Sequence, residues 1–295
     1  MSASMRPRRS VLFLPGSNPR ALEKARGLPA DALIFDLEDA VAPEAKEAAR
    51  AGVAAALATG GYAPRELMMR VNPLESAWGH ADLACAATLP IDAVLLPKVE
   101  AAERVRLVAE LLDSFGAPPE LGLWCMIETP RGVLAAAEIA GATPRLAALV
   151  LGTSDLTKDL HARETRDRLP LLTSLGLVLL AARAFGLAVL DGVHLDLADA
   201  AGFATACQQG RELGFDGKTL IHPQQIEPAN AAFSPSPEEV ARARRLIDAY
   251  AEATAAGKGA IRVEGRLVEA LHVEEARRVV ALAEAIAGRA QEHKG

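Results

Sequence analysis

The sequence predicts an α/β barrel of eight parallel strands, each followed by a helix, with a helical extension at the C-terminal end. Three observations predict it. Eight short β-branched or Leu-rich runs alternate with longer Ala-rich stretches of helical periodicity. Each run is almost wholly apolar yet ends in polar residues, as expected of strands buried on both faces that deliver side chains to one rim. At 295 residues, the chain suits one barrel with a short appendage better than two independent domains.

The predicted strands are residues 10–15 (SVLFLP), 32–38 (ALIFDLE), 66–72 (ELMMRVN), 93–99 (AVLLPKV), 121–128 (LGLWCMIE), 146–155 (LAALVLGTSD), 187–193 (LAVLDGV) and 217–222 (GKTLIH). Helix boundaries are marked between them. Asn18-Pro19 reads as a cap followed by proline at the first helical position, and Gly27 ends that helix. Pro43 starts the second helix and Gly60-Gly61 stops it, while Thr129-Pro130 repeats the capping device after the fifth strand. After His222 the pattern changes. FSPSPEEV opens a helix through Tyr250, AAGKGAIRVEG breaks it, and VEEARRVVALAEAIAG forms the last helix. Residues 1–230 are therefore expected to form the barrel and 231–295 an extension that covers an active site, its own or that of a neighbouring subunit.

Composition narrows the function. The formal net charge is −6 and the basic residues are dispersed, which argues against a nucleic-acid groove and leaves room for a small anionic ligand. Cys85, Cys125 and Cys207 lack CxxC spacing, so reduced thiols in a cytoplasmic protein are expected. The N-terminus is basic, but the apolar run VLFLP is too short for a signal or a membrane span.

The polar residues at the strand ends carry the chemistry. Glu128 in MIETPRG and Asp155 in LGTSDL close adjacent strands, so two hard carboxylate ligands with open positions suit Mg²⁺, with Mn²⁺ as an alternative. The competing reading is that each caps the following helix, which suits Asp155 better than Glu128, because Thr129 is the better cap. Arg70 in MMRVNP is expected to meet a substrate carboxylate or enolate oxygen, or else an internal partner in Asp36 or Glu38. Asp36 and Glu38 in DLEDAV share one face of an extended chain and are expected to orient Arg70, Lys98 or metal-bound water; Asp39 beside them reads as a solvated turn. Lys98 in LLPKVE invites a Schiff-base reading, but a charge partner for the acidic cluster is favoured. Arg20 and Lys24, one turn apart on the first helix, are placed to meet phosphate or simply to face solvent. Asp191, His194, Asp196 and His222 lack the one-turn pairing of zinc hydrolases and read as loop-fixing or pocket-lining residues.

Taken together, RRSVLFLPGSNPRALEKA, ADALIFDLEDAVAPEAKEAAR, MRVNP, LLPKVE, MIETPRGV, LGTSDL, DGVHLD, GFDGKTLIHPQQI and the tail GKGAIRVEGRLVEALHVEEARR resemble one family across nearly the whole chain. It is the citrate lyase beta subunit and malyl-CoA lyase group of the HpcH/HpaI aldolase superfamily. The resemblance implies a TIM (β/α)8 barrel, Mg²⁺ on Glu128 and Asp155, substrate on Arg70, and coenzyme A along the N-terminal loop with Arg20 and Lys24 at its phosphates. It also implies trimers or hexamers whose C-terminal element closes over the neighbouring site. Lyases of the group carry Asp-x-Pro in that tail, with the aspartate as acid/base, whereas this chain reads Val268-Glu269-Ala270-Leu271. Glu269 is the same functional group one methylene longer.

The activity so implied is retro-Claisen cleavage of a malyl-, citramalyl- or citryl-type 3-hydroxyacyl-CoA into acetyl-CoA, or a related acyl-CoA, and a 2-oxo acid. Three rivals stand beside it: an acyl-CoA thioesterase, a non-catalytic or complex-dependent subunit, and an aldolase acting on free 2-oxo acids.

Overall fold

The computed structural model describes residues 6–255, 257 and 259–292, so the first five residues of the basic N-terminus and parts of the Gly-Lys-Gly break lie outside the described residues. The chain divides into two compact units. One is Arg8–Phe233, and the other, among the described residues, joins residues 6–7 to the segment from Ser234 onward.

The first unit runs β1 (Ser10–Pro15), α1 (Pro19–Ala25), β2 (Ala32–Asp36), α2 (Lys46–Thr59), β3 (Glu66–Arg70), α3 (Gly79–Ala86), β4 (Ala93–Leu96), α4 (Ala102–Ser114) and β5 (Gly122–Ile127). It continues with α5 (Pro130–Leu134), α6 (Ala136–Ala140), β6 (Leu146–Leu151), α7 (Thr153–Asp159), α8 (Leu172–Ala184), β7 (Ala188–Asp191), α9 (Ala200–Leu213), β8 (Gly217–Leu220) and α10 (Ile226–Phe233). All eight strands are parallel, and β1 pairs with both β2 and β8, which closes the barrel. The TIM-barrel architecture expected from the sequence is therefore the one observed.

Two apolar layers follow from the two-residue period of a strand. Val11, Ala32, Ile34, Met68, Leu95, Trp124, Met126, Ala148 and Val150 fill the interior, while Leu33, Phe35, Met69, Val94, Cys125 and Leu149 pack outward with the helices. Carrying the inward period to the C-terminal rim brings it to Asp36, Arg70, Glu128 and Gly152, which is how the site is positioned.

The expected caps form. Asn18 accepts from the Ala21 N–H at 3.1 Å and Thr129 from the Gly132 N–H at 3.1 Å. Every strand except β1 stops short of its predicted C-terminal end. Glu38, Lys98, Glu128 and Asp155 consequently stand on the loops or helices that follow the strands, because polar residues at a barrel rim leave the ladder once the backbone turns toward the next helix. The barrel unit ends at Phe233, three residues beyond the predicted boundary, since α10 packs Ile226, Ala229 and Phe233 into the outer core.

The second unit contains α11 (Pro237–Ala255), a hairpin of β9 (Ile261–Val263) and β10 (Arg266–Val268), and α12 (Ala270–Glu292). Ser236 and Glu239 form a reciprocal capping box at the start of α11, with bonds of 2.6 and 3.1 Å. The hairpin is absent from the sequence reading. Its signal is Glu264-Gly265, both with positive φ (51° and 80°), which is the chemistry of a tight two-residue turn. Pro7 belongs with this unit, where its carbonyl accepts from Arg289 Nη1 at 3.1 Å. No helix among the described residues is long and apolar enough to cross a membrane.

Candidate active site

Asp36 and Arg70 are register partners on β2 and β3, so their inward side chains meet directly. The guanidinium binds the carboxylate through two parallel bonds, Nε to Oδ1 at 2.6 Å and Nη2 to Oδ2 at 2.5 Å. Arg70 Nη1 lies 2.9 Å from Glu38 Oε2, and the guanidinium carbon sits 4.8 Å from the centroid of the Phe13 ring. Of the two readings offered by the sequence, the internal pairing of Arg70 is therefore formed, and with both acids. Burial favours a neutral guanidine, but the bond and charge of Asp36, followed by the charges of Glu38 and Glu128, outweigh it and keep Arg70 protonated.

The chain of charges continues outward. Lys98 Nζ binds Glu38 Oε1 and lies 3.2 Å from Asp39, so Asp39 is engaged rather than simply solvated. Burial opposes the charged ammonium, but the bond to Glu38 and the acids around it hold Lys98 protonated, above its ordinary value. A protonated amine is not a nucleophile, so this is the environment of a charge partner and not of a Schiff-base lysine. Burial pushes the Glu38 carboxyl upward against the pull of Arg70 and Lys98, and its Oε2 has no aligned hydrogen-bond donor.

Glu128 is 1% exposed. Its Oε1 accepts from the backbone N–H of Lys98 at 2.7 Å, whereas no hydrogen bond within the described residues reaches Oε2. Burial pushes this carboxyl up to about 7, with the Lys98 N–H and the charges of Lys98 and Arg70 pulling the other way. Gly152 forms the facing wall: a Cβ there would lie 2.3 Å from Glu128 Cβ and 2.4 Å from Oε2, so the carboxylate occupies the space that any other residue would fill. Asp155 stands in the first turn of α7, one turn beyond Gly152, where its Oδ1 meets Lys158 Nζ at 3.2 Å. It is not the cap of that helix, whose N-cap residue is Gly152 and which has no side-chain cap.

Glu128, buried and with an oxygen lacking a donor, offers a hard oxygen at the rim, and Asp155 follows the next strand with its carboxylate paired to Lys158. Among the described residues no group of three or more His, Cys, Asp or Glu side chains is placed to hold a metal ion. Carboxylate oxygens are the chemistry of a hard divalent cation that completes its shell with water and substrate.

Residues 9–223 match the family model of HpcH/HpaI aldolase/citrate lyase. This chain belongs to that family. Among its relatives is a protein named (3S)-malyl-CoA thioesterase from Cereibacter sphaeroides, 52% identical over 287 residues, covering 97% of this chain and 98% of the relative. The citrate lyase subunit beta of Escherichia coli is 37% identical over 284 residues, covering 95% and 94%. Among solved structures, the CitE protein of Mycobacterium tuberculosis in complex with magnesium, acetoacetate and coenzyme A superposes with a TM-score of 0.76 at 32% identity, covering 95% of this chain and all of that one.

In this HpcH/HpaI family member the remaining residues singled out by the sequence have surroundings of their own. Arg20 and Lys24 are exposed on α1 and form no ion pair among the described residues. Glu269 is exposed in the second unit, where its backbone N–H donates to His272 Nδ1 at 3.1 Å at the start of α12. Asp191 is fully buried and fixes two cations, Lys218 at 2.8 Å and Arg168 at 2.7 Å. Arg168, which the sequence reading did not single out, also binds Gln209 at 2.6 Å and so ties the loop after α7 to α9. His194 stacks edge-on against Phe203 and, with Asp196, lines a cavity of about 280 Å³. His222 accepts from the Gln224 N–H at 3.2 Å, a loop-fixing role.

Proposed function

We infer that this chain is a Mg²⁺-dependent enzyme of malyl-type 3-hydroxyacyl-CoA thioesters, and that the bond it breaks is the carbon–carbon bond between the α-carbon of the thioester and the hydroxyl-bearing carbon next to it. The observation that carries this is the buried Glu128 carboxylate, with one oxygen lacking a donor, on the same rim as the Asp36–Arg70–Glu38–Lys98 chain of charges. Glu128 and Asp155 are the residues that hold the metal. Bound there, Mg²⁺ supplies Lewis acidity to the substrate hydroxyl and carboxylate. Glu269, contributed by the extension of a neighbouring copy in a trimer or hexamer, accepts the hydroxyl proton. As that oxygen becomes the carbonyl of the 2-oxo acid, the carbon–carbon bond breaks and its electron pair passes to the acetyl-CoA enolate. Arg70, kept cationic by Asp36, faces that developing charge. Arg20 and Lys24 meet the phosphates of coenzyme A.

A second reading has its own support. The relatives at 52% identity are named (3S)-malyl-CoA thioesterase, which favours attack of water on the thioester of the same substrate. Product analysis separates the two. Incubation of the purified chain with Mg²⁺ and (3S)-malyl-CoA is expected to release acetyl-CoA and glyoxylate; malate with free CoA, and no acetyl-CoA at early times, would assign hydrolysis instead.

The pH dependence of metal binding follows from Glu128. Only its carboxylate form ligates, and burial raises its carboxyl to about 7. The apparent Kd for Mg²⁺ is therefore expected to rise about tenfold for each pH unit below about 7 and to level off above it. Titration calorimetry across that range tests this, and a Kd that stays flat down to about pH 5.5 would remove Glu128 from the ligand set.

A further inference from the structure

We propose that Lys98 is a positioning residue whose left-handed backbone conformation, and not its ammonium, aims Glu128 at the metal. The inference rests on the reading of Glu128 as a Mg²⁺ ligand. β4 ends at Leu96, Pro97 follows, and Lys98 has a φ of 48°, a region that Gly and Asn enter readily and other residues rarely.

The neighbours explain why the chain accepts this. The Val99 N–H donates to the Met126 carbonyl of β5 at 3.2 Å, and the Val99 carbonyl is seated on the first turn of α5, where a Cβ on Gly132 would lie 2.5 Å from it. With the Val99 N–H bonded to β5 and its carbonyl packed against Gly132, the φ and ψ of residue 98 together decide where the 98 N–H points. At 48° it points at Glu128 Oε1, 2.7 Å away. An extended residue would turn that donor aside and leave Oε1 buried without a partner.

From the other side, Gly152 leaves no slack around Glu128 Cβ and Oε2. The carboxylate is thus clamped between two stretches of backbone, with one oxygen occupied and the other presented. A lysine stands where glycine would be less strained because the same residue closes the charge chain on Glu38 and Asp39.

The test separates backbone from charge. Lys98→Gly, Lys98→Asn and Lys98→Val all remove the ammonium, but only valine, being β-branched, resists positive φ. Affinity for Mg²⁺ is read by calorimetry and for Mn²⁺ by electron paramagnetic resonance, with thermal melting as the check on folding. The Gly and Asn variants are expected to bind the metal equally, and the Val variant about tenfold or more weakly than either. Equal affinity of the Val and Gly variants overturns the proposal while leaving the metal reading intact. A wild-type chain that binds neither ion overturns both. If the Val variant does not fold, Lys98→Thr, which is also β-branched, supplies the same ranking, and a Thr variant that matches Gly counts against the proposal in the same way.

Discussion

Replacing Glu128 by glutamine is expected to lower turnover by about 10³-fold or more and to raise the stability of the metal-free protein. The first effect is the loss of a metal ligand whose contribution to transition-state charge is several kcal/mol. The second follows from where the carboxylate sits. Burial raises its carboxyl from the ordinary 4.5 to about 7, so between these values the native state holds a proton that the unfolded chain has released. Stability therefore falls as pH rises through that window, by about 3 kcal/mol in total, and above about pH 7 the metal-free fold carries a buried, unfavourable charge. Glutamine keeps an acceptor for the Lys98 N–H and carries no charge. Denaturant unfolding at about pH 8 should show the variant more stable without Mg²⁺, with the difference vanishing below about pH 4.5. Adding Mg²⁺ should stabilise only the parent chain. A parent chain insensitive to Mg²⁺ and no less stable than its variant would remove the metal from the proposal.

Arg70→Ala should be costly in both folding and catalysis. It strands the Asp36 carboxylate, 1% exposed, and the buried Glu38 without their shared cation. Breaking a buried pair by removing one partner costs about 3–5 kcal/mol, which is read as a lowered denaturation midpoint with an unchanged slope. Loss of a cation facing the developing enolate should lower kcat/KM by about 10²–10³-fold. Arg70→Lys is expected to rescue neither quantity fully, because an ammonium does not supply two parallel bonds to Asp36. If turnover survives Arg70→Ala, the residue serves the fold and not the reaction.

How much of this was legible beforehand depends on the residue. The eight strands, their inward and outward periods and the two Pro-led helix caps lie in local chemistry, and they were read from the chain as it stands. The polar ends of the strands likewise revealed Asp36, Arg70, Lys98 and Glu128 as one rim. The sequence places Asp155 at the end of a strand, but it stands in the first turn of α7, because the ladder stops at Leu151 and the chain turns at Gly152. The β9–β10 hairpin escaped notice because three-residue strands carry too little alternation to be seen, although Glu264-Gly265 marks the turn.

Amino-acid order by itself determined that this protein is a barrel with an acidic and basic rim, since strand burial and helix capping depend on residues a few positions apart. Only the tertiary structure decided which charges neutralise one another and which oxygen of Glu128 is left without a donor. Those outcomes depend on the register that sets Asp36 opposite Arg70, on the torsion that turns the Lys98 N–H inward, and on the missing side chain at Gly152. Each is a relation between segments far apart in the chain, and a buried charge finds its partner only when the fold has closed around it.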